Sequence, residues 1–143
     1  TEVYPGVFDL LNGYLDRNTK MAVCTNKPSA TTRPVLDALG LSRYFRSVLC
    51  GDEVAHPKPD GRHLLAVLEQ MACPLEGAVY IGDGAPDVAA AGDAGMPVII
   101  VDHENLSPDG WSATADRIIR CFDELPEALA SLGFDVADHR RAS

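Results

Sequence analysis

The chain has 143 residues, 46% of them hydrophobic, and sets 21 acidic against 12 basic side chains for a formal net charge of −9. That length fits one domain with a real core, since chains of this size remove about 68–70% of their unfolded surface from water. The acidic balance argues against nucleic acid and membrane surfaces as partners, and an anionic substrate would need locally placed cations. Cys24, Cys50, Cys73 and Cys121 stand far apart with no Cys-x-x-Cys pair, so neither a zinc site nor a dithiol motif is expected. Their mostly apolar neighbours predict buried free thiols. With no signal peptide and no apolar run long enough to span a bilayer, the expected location is a reducing cytoplasm.

Val7, Leu10, Leu11, Tyr14 and Leu15 recur at helical spacing behind Pro5, which predicts an amphipathic helix with its apolar stripe on a sheet. Residues 20–25 read as a buried strand. Ser29 is placed to cap a second helix that carries Val35, Leu36 and Leu39 and is closed by Gly40. Residues 47–50 supply the next short strand, and Asp52 and Glu53 behind it read as solvated loop carboxylates. In His56-Pro57-Lys58-Pro59-Asp60 each proline holds the residue before it extended, so the Lys58 ammonium is presented rigidly, while His56 reads as an exposed loop histidine.

Asp60 is placed to cap a third helix with Leu64, Leu65, Leu68 and Met71 on its apolar face. Next comes Val79-Tyr80-Ile81-Gly82-Asp83-Gly84-Ala85-Pro86-Asp87, an apolar run that stops at a glycine and delivers two carboxylates. Gly82 and Gly84 permit a positive φ or close backbone approach, and Asp87 opens an Ala-rich helix that ends at Gly95. Residues 97–101 read as a strand buried on both faces. Asp102-His103-Glu104 is a potential metal constellation that reads more simply as a loop. Residues 117–121 predict an edge strand, Asp123 a cap for a helix running to Leu132, and residues 133–143 a partly disordered tail. Helix and strand alternate throughout, which predicts an α/β architecture of parallel strands.

Two strand ends and one rigid turn thus carry chemistry: in chain order, Thr25 with Asn26 at the first end, Lys58 in the turn, and the pair Asp83 and Asp87 at the second end. Taken singly, each has a plainer reading as a helix cap or a surface turn. Taken in this order, they resemble the haloacid dehalogenase (HAD) superfamily, especially its phosphoglycolate phosphatase-like branch, from Tyr4-Pro5-Gly6 to about Leu132. The resemblance implies a HAD-like Rossmannoid three-layer core, with residues 1–132 as its C-terminal part. It implies that Thr25 and Lys58 are catalytic, that with Asn26 they hold the phosphoryl group, and that Asp83 and Asp87 bind Mg²⁺. The implied substrate is a small phosphorylated metabolite.

One part of the family pattern is not in the chain. The first motif, Asp-x-Asp at the end of the first strand, supplies the nucleophile, and no two aspartates here stand two positions apart. Asp135 and Asp138 have the wrong spacing. The resemblance therefore implies that this chain lacks the first central strand, the nucleophile and the cap domain, and that alone it is inactive. In the family that strand lies between the strands ending at Thr25 and Asp83, so two facing edges would be left with unpaired N–H and C=O groups. They could pair with each other, borrow a strand by self-association, or be completed by a preceding segment. The alternative reading is a non-catalytic HAD-like binding module. A dinucleotide-binding domain is disfavoured, because Asp87 stands where the fingerprint begun by Gly82 and Gly84 requires a third glycine.

Overall fold

The computed structural model describes residues 3–102 and 114–134. In chain order these form α1 (Val7–Asp16), β1 (Ala22–Thr25), α2 (Ser29–Ala38), β2 (Ser47–Cys50), α3 (Arg62–Met71), β3 (Tyr80–Gly82), α4 (Ala85–Ala94), β4 (Val98–Val101), β5 (Arg117–Ile119) and α5 (Leu125–Ser131). All the strand pairs are parallel, as the alternation predicts, with β5 at an edge. No described helix is long and apolar enough to cross a membrane.

The fold is centred on β4, whose four residues Val-Ile-Ile-Val are buried on both faces. Val98 and Ile100 pack with Leu64 and Leu68 of α3 and with Val88, Ala90 and Ala91 of α4. Ile99 and Val101 pack on the other side with Tyr14 of α1, Ile119 of β5, and Leu125 and Leu129 of α5. Strand periodicity sends alternate β-branched side chains into two apolar layers, and the alanines of α4 let that helix lie close to the sheet.

Several local expectations are corrected. Leu65 is exposed, because the buried stripe of α3 is Leu64, Val67 and Leu68, and one residue's step turns Leu65 about 100° away from it. Helix α2 buries no residue, and its Val35 is exposed; the helix packs chiefly on β2 and the turns beside it, at the outer end of the molecule. Strand β1 is only half-buried along its length. Ser29 does not cap α2, since its N–H and hydroxyl both donate to Asp52, each at 2.9 Å. Asp123 does not cap α5 either; the Glu124 carboxylate accepts from the Cys121 N–H at 3.1 Å instead. Cys50 is buried, but Cys24 and Cys73 are half-buried and Cys121 is exposed, all as free thiols. Of the expected tail, Phe134 packs on the α1 and α5 side of the core, and residues 135–143 lie outside the described residues.

The strands form two sheets, one of β1 and β2 and one of β3, β4 and β5, so direct pairing of β1 with β3 is not what the chain adopts. The Met21 C=O accepts from the Arg46 N–H beside β2, which by strand alternation turns the main-chain groups of Ala22 and Cys24 to the opposite edge. The Tyr80 N–H likewise donates to Pro97 beside β4, turning those of Ile81 away from β4. At the open edge of β1 the Cys24 C=O is met by side chains, the Tyr80 hydroxyl and the Lys58 ammonium, each at 3.0 Å.

Helices α3 and α4 tie the two sheets together. The Gly61 N–H donates to Asp93 at 2.8 Å, and a Cβ on Gly61 would stand 2.6 Å from the Ala94 nitrogen. Only glycine lets α3 begin this close to the end of α4. Gly61→Ala should therefore cost about 1–3 kcal/mol, the usual range for forced overpacking. Urea unfolding of the two proteins checks this, and equal midpoints would mean that the helices do not meet as described.

Candidate active site

The carboxyl ends of β1 and β3 converge on one buried ammonium. Lys58 Nζ lies 2.7 Å from Asp87 Oδ1, 2.6 Å from the Tyr80 hydroxyl and 3.0 Å from the Cys24 C=O. A lysine has three N–H donors, and all three are engaged. The side chains of Lys58 and Asp87 are only 8% and 9% exposed, so this pair sits largely out of water.

Asp87 stands in the first turn of α4, where an acidic side chain favours the free N–H groups of the helix start. Its Oδ2 accepts from the N–H groups of Asp83 at 2.9 Å and Gly84 at 3.2 Å, while Oδ1 accepts from Lys58 and, at 2.9 Å, from Tyr80. Burial alone would raise its pKa, but the bonds from Lys58, from the Asp83 N–H and from Tyr80 outweigh burial and hold the carboxyl below the usual value. A Cβ on Gly82 would come 2.5 Å from the Asp87 Cβ, so the glycine serves close approach here.

The remaining expected site residues stand around this cluster. The Asn26 side-chain amide donates to the Lys58 C=O at 2.8 Å, and the Thr25 hydroxyl accepts from the Lys27 N–H at 3.2 Å. A Cβ on Gly51 would stand 2.4 Å from the Asn26 C=O oxygen, so the turns after β1 and β2 interlock beneath these residues. Asp83 is exposed at the end of β3, and among the described residues its carboxylate has no hydrogen bond or ion pair. An exposed carboxylate with no protein partner among the described residues is the donor type that suits Mg²⁺, which takes one or two carboxylates and fills its other positions with water and phosphate oxygens. Asp87, with both oxygens engaged inside the protein, stands behind Asp83.

Other candidates separate from this centre. Cys50, Asp52 and Glu53 come within metal-binding distance of one another. However, Asp52 is held by Ser29, and Glu53 pairs with Arg33 at 3.0 Å, so both are employed as loop braces. Asp102 is buried and pairs with Arg120 at 3.0 Å, whereas His103 and Glu104 lie outside the described residues. His56 is exposed, as expected. The Cys24 thiol is a potential nucleophile within the influence of Lys58, but burial pushes its pKa up to about 12 against the lowering effect of Lys58, so it stays a protonated thiol. Sequence reasoning missed Tyr80, read only as part of an apolar run. Its signal was a hydroxyl within an apolar run, where burial of the ring requires a polar partner for the O–H. Burial, and next to it the Asp87 charge, push that hydroxyl's pKa far up, so it remains a neutral O–H.

Asp87→Asn should unfold at lower urea than the wild type at neutral pH, because it leaves the Lys58 ammonium buried without its countercharge, a loss of about 3–5 kcal/mol. The folded-state pKa of Asp87 lies below its ordinary 3.8, so its contribution is complete above that value and is lost as pH falls through the depressed one. The gap between wild type and variant should therefore close in acid. A gap that persists unchanged at pH well below 3.8 would show that charge is not its source.

Comparison with known proteins identifies the family. A match to the family described as haloacid dehalogenase-like hydrolase covers residues 1–101. The phosphoglycolate phosphatase of Agrobacterium fabrum is 38% identical over 126 residues, which are 88% of this chain and 54% of that protein. Phosphoglycolate phosphatase 1 of Pseudomonas aeruginosa is 43% identical over 96 residues, covering 67% of this chain and 35% of that one. Among solved structures, a HAD phosphatase from Thermococcus onnurineus superposes with a TM-score of 0.80 at 29% identity, over 89% of this chain and 58% of that chain. The chain spans about half the length of the Agrobacterium relative, 54%. Its parallel strands, its helical layers and these matches together place the chain in the haloacid dehalogenase-like hydrolase family, with that family's Rossmannoid α/β core.

Proposed function

We propose that this chain supplies the phosphate-holding and metal-holding half of a Mg²⁺-dependent phosphatase that hydrolyses a small phosphomonoester. The observation that carries this reading is the preorganised Lys58 ammonium, paired with Asp87 at 2.7 Å and set between Cys24 of β1 and Tyr80 of β3. The carboxyl ends of parallel strands are where open α/β sheets bind their ligands. Relatives that are phosphoglycolate phosphatases support the substrate class. So does the structural likeness, at 26% identity and a TM-score of 0.75, to CbbY of Rhodobacter sphaeroides in complex with phosphate.

In this reading Lys58 and the Thr25 hydroxyl hold phosphoryl oxygens, and Asn26 keeps the Lys58 loop against the turn after β1. Asp83 would hold Mg²⁺, with Asp87 supporting it from behind. The metal would offset charge on the phosphate oxygens. Preorganised cations and donors aimed at those oxygens stabilise the charge of a transferring phosphoryl group. The nucleophile is a carboxylate outside these 143 residues, which attacks phosphorus, releases the alcohol, and is freed when water hydrolyses the acyl phosphate. A strand lying along the open edge of β1 would take the Cys24 C=O and release one Lys58 N–H for substrate. The partners are thus a small phosphorylated metabolite and a segment, from a longer chain or a second copy, that completes the sheet.

The purified chain with Mg²⁺ should show no turnover on a panel of phosphomonoesters, since binding groups cannot replace the carboxylate that becomes phosphorylated. Turnover that disappears in Asp83→Ala would overturn that expectation. Calorimetric titration should find weak Mg²⁺ binding that Asp83→Asn abolishes, because Mg²⁺ gives up water reluctantly where anionic ligands are few. Tight binding that survives Asp83→Asn would locate the metal elsewhere and remove Asp83 from the proposed site.

A further inference from the structure

His63 of α3 is fully buried, 0% exposed, and the reading above gives it no task. Its ring joins two elements. Nδ1 lies 3.2 Å from the Lys58 main-chain nitrogen, and Nε2 lies 3.1 Å from the Leu49 C=O on β2. The Lys58 N–H can only donate, so Nδ1 must be the bare acceptor; the Leu49 carbonyl can only accept, so Nε2 must carry the proton. Only the neutral Nε2–H tautomer satisfies both.

We infer that His63 is the positioning residue of Lys58, a neutral imidazole that fastens the lysine's main chain to β2 and thereby aims its ammonium. The inference rests on the phosphate-holding role proposed for Lys58. Together with Asn26, which donates to the Lys58 C=O at 2.8 Å, His63 holds both polar groups of the Lys58 main chain. A lysine side chain is long and flexible, so a fixed main chain is what lets its ammonium meet Asp87, Tyr80 and Cys24 at once. Protonating His63 would set a second N–H against the Lys58 N–H and undo the tether.

The surroundings keep the ring neutral. Burial lowers its pKa from 6.5, the bond to the Leu49 carbonyl opposes this, and the Lys58 cation lowers it further. The nearby carboxylates are engaged elsewhere: Asp60 with Arg62 at the entry to α3, Asp93 of α4 with the Gly61 N–H, Asp87 with Lys58, and Glu53 beyond β2 with Arg33. None of these four is left to draw a proton onto the imidazole.

Ring-nitrogen NMR of the whole chain tests the inference without needing turnover. At neutral pH His63 should show the Nε2–H tautomer. On acidification its midpoint should fall below 6.5, and the Lys58 N–H and Nζ signals should shift with that same midpoint while the β4 amides stay put. In His63→Phe the Lys58 amine should become about tenfold more reactive to an acylating reagent, the order expected for loss of one buried hydrogen bond. His63→Gln, which keeps a donor and an acceptor, should recover part of that protection. An Nδ1–H tautomer, or a His63 titration that leaves the Lys58 signals unmoved, would overturn the inference, and both are read on the wild type whether or not the variants fold. Adding inorganic phosphate with Mg²⁺ to this chain joined to the part of the Agrobacterium fabrum relative that it does not span separates the two readings, since a completing strand is what frees a Lys58 donor. Lys58 signals that follow His63 but ignore phosphate would uphold the tether and overturn the phosphatase.

Discussion

A cation taken out of water must find every one of its protons a partner, and the carboxyl ends of β1 and β3 are built around meeting that requirement for Lys58. An unpaired buried ammonium costs several kcal/mol, and a buried pair is tolerated only where the remaining donors and lone pairs are also satisfied. Here the three donors reach β1 through Cys24, β3 through Tyr80 and α4 through Asp87. The Asp87 oxygens are completed by the N–H groups of Asp83 and Gly84. None of these elements can shift alone without stranding a charge. Gly82 and Gly61 carry no chemistry, yet both belong to this constraint, because a side chain at either would push Asp87 or α4 out of place.

The same cluster accounts for how the chain copes with its divided sheet. Cys24 turns its C=O toward the open edge of β1, where a ladder partner would ordinarily lie, and two side chains serve in place of a strand. The apolar layers also help hold the two sheets together: Cys24 packs with the α3 and α4 cluster, and Met21 with the α1 and α5 cluster. The consequence reaches function. A lysine fully engaged by protein oxygens is preorganised, but it has no donor left for a ligand until one of those oxygens is taken by something else.

Much of this was legible in the sequence where one physical signal dominates. The Val-Ile-Ile-Val run of β4, the stripe of α1 and the glycine that closes α4 all follow from periodicity and backbone freedom. Thr25, Lys58, Asp83 and Asp87 could be picked out together because their order along the chain resembles the HAD pattern, whereas each taken singly reads as a cap or a turn. What stayed hidden is which partner a polar group chooses. Ser29 and Asp123 look like helix caps, but a short polar side chain near a helix start has several options, and Ser29 bonds Asp52 twenty-three positions away. Nothing in the spacing of Asp83 and Asp87 tells that one faces solvent and the other a buried lysine. Tyr80 and His63 sit in apolar stripes, and their polar atoms act on residues distant in sequence.

We propose that this chain holds a phosphatase's phosphate and metal groups and is completed by a segment that bears the attacking carboxylate together with a cap domain. The most direct measurement is phosphoglycolate turnover by a chimera in which the part of the Agrobacterium fabrum phosphoglycolate phosphatase not spanned by this chain is joined to it. The account predicts Mg²⁺-dependent turnover that is lost on Lys58→Met and on Asp83→Ala. A folded chimera that hydrolyses no phosphomonoester, or one whose turnover ignores both substitutions, would contradict it.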